Sequence, residues 1–507
     1  MAYATTDAPE NAGEGVQRTG RHANSALVIL FLSLGGLSFA VLQSLVAPAL
    51  PTMAKDLHSS TSDISWVLTA YLLAASVLTP ILGRLGDIVG KRLVLLGVLV
   101  VLAAGTVLAA LATTLTVLIV ARALQGAAGA ILPLSIGIVR DELPRDRVGV
   151  TVGLLSAIFG IGAGLGIVLA GPIVDHLSWH WLFWLPLVLV VAALVGVFVG
   201  VPESPVRATG RLDYVGTVIL SASLIALLLA VSKGNEWGWG SVKTLGLLAT
   251  GAVVLAVFVF VELRSREPLI NMRLMSLRGV WATNLVGLTF GFAMYGTFLL
   301  IPSLLELSAS TGYGFGKSVS EAGLFLLPST LMMLIFGPAS GLLDRRFGPK
   351  LPLVLGAILV AAAFALPAIA HSATWELLVS VILMGAGIGL AFAAMANAII
   401  ESVPATHTGE ATSVNSIVRT IGGSVGSAVV AAVISSNVTA QGLPANSGFT
   451  TGFAVCAGVA FLAILSALAL PSARRIRVQA TEVGVKDLPP EPHDMHLRLP
   501  HPARTDG

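Results

Sequence analysis

The segment Gly83-Arg84-Leu85-Gly86-Asp87-Ile88-Val89-Gly90-Lys91-Arg92 sets one carboxylate among three cations, with glycines that permit a tight helix-loop-helix turn. An acid flanked by bases near a helix end is suited to locking neighbouring helices in one arrangement and releasing them in another by exchanging partners. The bland account is a basic loop that follows the charge bias of membrane proteins, but the glycine and acid spacing is more specific than that. A related stretch, Gly341-Leu342-Leu343-Asp344-Arg345-Arg346-Phe347-Gly348-Pro349-Lys350, repeats with the same displacement at both glycines. In this copy the acid falls one place earlier and Arg345 stands where Asp87 does in the first.

Two more cations lie inside apolar runs. A guanidinium there costs about 3 kcal/mol or more unless it faces a polar cavity or a partner, so Arg122, with Gln125 on the same face, is expected to point inward. Arg419 is the second, with Asn415 one turn before it and Gly422, Gly423 and Gly426 after it. Gln43 is the nearest polar group in the first apolar run; it can hydrogen-bond a cation but cannot cycle a proton near neutral pH. Asp175, Glu306 and Glu321, near helix ends, are the candidate proton carriers, although each is more commonly a solvated end residue. Trp66, Tyr71, Asn284, Tyr295 and Asn397 are candidate lining residues whose rings and amides suit apolar or cationic ligands.

The elements that position these groups follow from composition. Of 507 residues 55% are hydrophobic and 11% charged, and the mean hydropathy is +0.91, a balance that excludes a globule surrounded by water. Apolar runs of about 17–25 residues, long enough to cross a bilayer as helices, recur about fourteen times between Ala26 and Leu470. Strands would be shorter and alternating, which excludes a barrel. An even count puts both termini on one side, and with that side cytoplasmic the Arg and Lys residues favour it by roughly five to one. Only Lys55, Lys233, Lys243 and Lys317 fall on the other face. The expectation is an all-α protein spanning the plasma membrane, with both termini in the cytoplasm, and the Ala, Gly and Arg bias suggests a bacterium.

Several function classes fall away. A net charge of +3 gives no argument for nucleic acid, and the single Cys456 permits no intrachain disulfide and no Cys-based metal or redox site. Thr311-Gly312-Tyr313-Gly314-Phe315-Gly316-Lys317-Ser318 ends like a phosphate-cradling loop but lacks its first glycine, so nucleotide binding is not expected. His176 and His180 beside Asp175 have metal-like spacing, but at a helix start where such residues are commonplace. No cofactor, metal or enzymatic activity is expected.

The Gly83–Arg92 loop resembles the loop signature of the major facilitator superfamily, and Arg122-Ala123-Leu124-Gln125-Gly126-Ala127-Ala128-Gly129 resembles the fourth-span signature of its fourteen-span drug:proton antiporters, the multidrug efflux permeases. The likeness covers about Ala26 to Leu470. A fifth run with Gly160, Gly162, Gly164, Gly166, Gly171 and Pro172 is similar to the antiporters' fifth-span motif, with Ile167 where a proline is usual. The resemblance implies a major facilitator fold, divided here as a tail (1–25), a six-helix bundle (26–205), two inserted helices (206–266), a second six-helix bundle (267–471) and a disordered tail (472–507). It also implies alternating access, a proton-coupling role for Arg122, and export of small amphipathic or drug-like molecules against protons, with lipid, protons and a small-molecule substrate as the only partners. The family's acid in the first span is missing. That absence keeps open a metabolite facilitator or importer without proton coupling, and, in another class, a membrane scaffold or sensor, which needs neither Arg122 nor the two loops.

Overall fold

The computed structural model describes residues 25–471 apart from 209, 266 and 440–442. Apart from Ser25, which begins the first helix, both expected tails, with Arg18, Arg21, Arg474, Arg475 and Arg477, lie outside the described residues, as does Arg266.

Among the described residues fourteen helices are long and apolar enough to cross a membrane: Ser25–Asp56, Ser62–Val89, Lys91–Ala110, Leu115–Glu142, Arg147–His176, Trp181–Gly200, Tyr214–Trp237, Val242–Arg264, Arg278–Glu306, Ser320–Phe347, Lys350–Ile369, Thr374–Ser402, Ala405–Ser436 and Asn446–Ala469. They are spans 1 to 14 below. Helices satisfy every backbone group internally, which hydrocarbon demands, and the described residues form no strand beyond one isolated bridge between Val438 and Pro444. Span 4 is not one regular helix. Its Gly126–Ala130 segment, GAAGA, tightens to a 3-10 turn that brings Gly126 onto the backbone of Ala75 in span 2.

Spans 1–6 enclose one hydrophobic core, from Val28 to Val201, which Ala396 and Ile400 of span 12 join, and spans 9–14 enclose another, from Ala282 to Leu470. The two inserted helices are central in the chain but peripheral in space. Span 8 packs mainly on span 7 and turns Val253, Val257, Phe260 and Leu263 outward, while span 7 sets Leu220, Leu224 and Leu228 into a small core with Ile417 of span 13. Lys233 anchors its far end. Counted from sequence among the charges of the other face, Lys233 lies inside span 7 and is buried; its ammonium donates to Ser65 Oγ (2.6 Å) and Ser62 O (3.2 Å) and pairs with Glu236 (2.8 Å), over the ring of Trp66.

The two cores join along two seams. Spans 5 and 10 touch over most of their length through small residues: Gly149 meets Gly341, Gly153 meets Gly337, Gly164 meets Thr330 and Gly171 meets Ser320. Spans 2 and 13 meet where Gly83 faces Gly409 and Ser413. With an even number of spans the described ends share a face, called the terminal face, and the charged loop of the first motif lies on it.

Candidate functional site

At the terminal face the Asp87 carboxylate, fully buried, crosses from span 2 to span 13. Its Oδ1 accepts from the Gly409 amide (3.1 Å) and its Oδ2 from the Glu410 amide (2.9 Å), so it caps the first turn of the helix starting at Thr408. Charge-assisted bonds to free N–H groups at the positive end of a helix are stronger than neutral ones. Lys91 holds the acid from behind, 3.6 Å from Asp87 and 2.7 Å from Asp141, whose other contact at the same oxygen is the Ser204 hydroxyl. Arg84 crosses the seam as well, to Glu410 (3.4 Å), which also pairs with His407 (2.9 Å) and accepts from the Asn271 amide. Arg140 adds three bonds to Val403 O (2.8 Å), Pro404 O (3.2 Å) and Thr408 Oγ1. Arg92 does not cross; it reaches Phe198 O (2.6 Å), and Glu203 accepts from the Arg92 and Leu93 amides.

Two glycines make this geometry possible. Gly90 has φ +135° and lies against the Glu203 carboxylate, a turn that L side chains resist. At Gly83 a Cβ would strike Ser413 Oγ and come within 2.8 Å of Gly409 O, so Gly83→Ala is expected to hold spans 2 and 13 apart at this end. Cysteine crosslinking between the two helices, efficient in the native background and lost in the variant, measures it. The second loop copy is built otherwise. Arg345, at the place matching Asp87, is exposed, and Asp344 lies half-buried beside Gly149 and Asn397.

Arg122 is fully buried and closed in by acceptors from three elements. It donates to Gln125 Oε1 (2.7 Å), Leu42 O (3.3 Å) and Val67 O (3.3 Å), and its guanidinium lies over the Tyr71 ring, 4.2 Å from the centroid. Gln125 passes the chain on to Thr106 (3.2 Å). Arg122 thus ties spans 1, 2 and 4 together behind Tyr71, and it does not line the space between the halves.

That space is a central cavity lined by spans 1, 2, 4, 5, 9, 10, 12 and 13. Of the lining residues expected from sequence, Tyr71 and Tyr295 are there, and Gln43 bridges the halves by donating to the Tyr295 hydroxyl (3.3 Å). The other three lie elsewhere: Trp66 faces Lys233, Asn284 accepts from Asn415 (3.0 Å) to join spans 9 and 13, and Asn397 is buried by the terminal face. Arg419 lines the cavity with its guanidinium over the Phe392 ring (4.6 Å). Gly162 and Gly166 take span 5 onto Ala40 and Ser44 of span 1; Gly171 abuts Ser320, and Pro172 is exposed inside the same helix. Asp175, Glu306 and Glu321 are exposed at the opposite face and do not reach the cavity, Glu321 being engaged with Lys317 and the Ser318 amide. Glu410, Asp141 and Arg140, members of the terminal network, were missed; for Glu410 the one sequence signal is an acid in the first turn of a helix, after Thr408-Gly409.

The sequence model of the Major Facilitator Superfamily matches residues 32–427 and 285–498. The chain belongs to that superfamily. A facilitator-superfamily relative from Mycobacterium tuberculosis, an MFS-type transporter without assigned substrate, is 35% identical over 78% of this chain, which spans 58% of the relative's length. The tetracenomycin C resistance and export protein of Streptomyces glaucescens is 29% identical over 84% of this chain and 78% of its own. A multidrug transporter of Bacillus subtilis is 28% identical over 81% of this chain and 75% of its own. Among solved structures, a proton:xylose symporter of the same superfamily superposes with a TM-score of 0.63 at 15% identity, covering 89% of this chain and 97% of that one, a likeness of fold. This facilitator-superfamily chain thus combines fourteen helices long and apolar enough to cross a membrane, among its described residues, with multidrug transporters among its relatives.

Proposed function

We propose that the protein exports small amphipathic molecules across the bacterial plasma membrane by alternating access, with proton entry as the driving step. The observation that carries the reading is Asp87 seated on the first turn of span 13, a charge-dependent contact between the two halves at one end of a cavity they share. A scaffold has no use for a buried carboxylate bridging two halves around a cavity. The terminal face, rich in Arg and Lys, is the cytoplasmic one in this reading. Export relatives such as the tetracenomycin protein support the direction.

Proton carriers in this scheme sit outside the cavity, with Asp175, Glu306 and Glu321 as candidates. A second reading, an uncoupled facilitator, is favoured by one observation: among the described residues no carboxylate lines the cavity. Purified protein in liposomes with an imposed pH gradient separates the two. Internal pH is followed while a panel of amphipathic compounds is added. Substrate-dependent proton movement is the expected result; substrate flux without it would replace antiport by facilitation, and no flux of any compound would remove the transport reading.

A further inference from the structure

Among the described residues the central cavity has one charged side chain, and it is positive: Arg419 lines it, Arg122 stands behind Tyr71, and no described Asp, Glu, Lys or His contributes. The two arginines differ in how their donors are used. Arg122 meets three acceptors within 3.3 Å, whereas Arg419 makes one long contact, 3.5 Å to Ser416 Oγ on its own helix, and stacks on Phe392. No carboxylate stands within ion-pair distance of Arg419 among the described residues. A guanidinium carries five N–H donors arranged to match a carboxylate or sulfonate in a two-pronged pair. In a site walled by apolar groups that field is poorly screened, so it attracts an anion and repels a cation.

The rest of the wall suits a flat apolar body: Phe39, Phe159, Phe298, Phe392 and Met333 surround the space. We infer that the cavity selects amphipathic organic anions, an aromatic body bearing a carboxylate, phenolate or sulfonate, with the Arg419 guanidinium as the counter-charge and Phe392 holding that guanidinium in place. This rests on the transport reading above and narrows its substrate class. It reverses the preference for cations suggested by aromatic residue types alone, because a fixed cation inside the cavity outweighs cation–π attraction from rings around it.

Binding to the full chain in lipid nanodiscs tests it, using three probes of one shape: 2-naphthylacetate, its neutral amide, and 2-naphthylmethyl-trimethylammonium. The anion is expected to bind at least about tenfold tighter than the cation, a difference of about 1.4 kcal/mol. Arg419→Gln should erase that preference and Arg419→Lys should keep most of it while weakening the anion, since charge stays and the planar fork is lost. Thr420→Asp, which places a carboxylate on the same wall without removing the arginine, should shift preference toward the cation and serves as the test where Arg419→Gln does not fold. Equal or tighter binding of the cation by the native protein overturns the inference, as does an anion preference undiminished in folded Arg419→Gln or in Thr420→Asp. Liposome flux keeps the two readings apart: cation preference with flux intact removes the anion inference alone, and anion binding without flux of any probe removes the transport reading alone.

Discussion

Asp87→Asn is expected to lower transport by about a hundredfold while leaving the protein folded, because it removes the contact that closes spans 2 and 13 together. The carboxylate accepts two main-chain amides at the start of the span 13 helix, and an amide side chain has one oxygen to offer them. Its NH2 would meet an N–H instead. Losing one charge-assisted bond, and weakening the other, amounts to roughly 3 kcal/mol, or about two decades in the population closed at the terminal face. Lys91 keeps its shorter contact to Asp141, so the N-terminal half retains its own order. Spin labels at Val89→Cys and Ala405→Cys, in a Cys456→Ala background, should report a longer and broader separation in the variant. An unchanged distance distribution together with native flux would show that the contact is not a latch.

Arg122→Lys should cut substrate flux about tenfold or more, with proton and substrate movement falling in proportion and the thermal midpoint falling too. The reason lies in the acceptor set. Arg122 serves a side-chain amide and two carbonyls while stacking on Tyr71, and a single ammonium on a flexible stem cannot span all four partners. Each buried acceptor left without a donor costs about 1–3 kcal/mol. The geometry therefore makes Arg122 a clamp on spans 1, 2 and 4. The resemblance to the antiporters assigns it to proton coupling, and the two roles separate cleanly: loss of proton movement alone, with substrate flux and thermal midpoint unchanged, would restore the coupling role.

Neither residue is read in the same way from the sequence. Asp87 announced a switch by its neighbours, yet its partners, the Gly409 and Glu410 amides, are more than three hundred positions away, and main-chain donors leave no mark in residue type. Arg122 announced a buried cation by the apolar run around it, but whether such a group faces a cavity or a neighbouring helix depends on the rotation of the helix in the bundle. The 3-10 turn at Gly126–Ala130, just beyond it, changes that rotation and was not legible in GAAGA. Trp66, Asn284 and Asn397 lie away from the cavity for the same reason, each turned toward a helix interface that periodicity does not identify.

What the sequence determined by itself is the solvent and, through it, the class of structure. Long apolar runs with almost no charge force helices, because hydrocarbon admits only helices and closed barrels and barrel strands would be shorter and alternating, and the charged and glycine-rich intervals between them fix where the turns fall. The repeat of the loop motif announced two related halves. What only the tertiary structure decided is the pairing across those halves: span 13 rather than a neighbour in sequence receives Asp87, spans 7 and 8 lie outside the bundles, and Arg419 faces the cavity while Arg122 does not. Almost every helix here is apolar on all sides, so hydrophobicity alone does not choose which face meets which partner. Close packing of glycines and a few buried charges makes that choice, and both act only once distant segments are brought together.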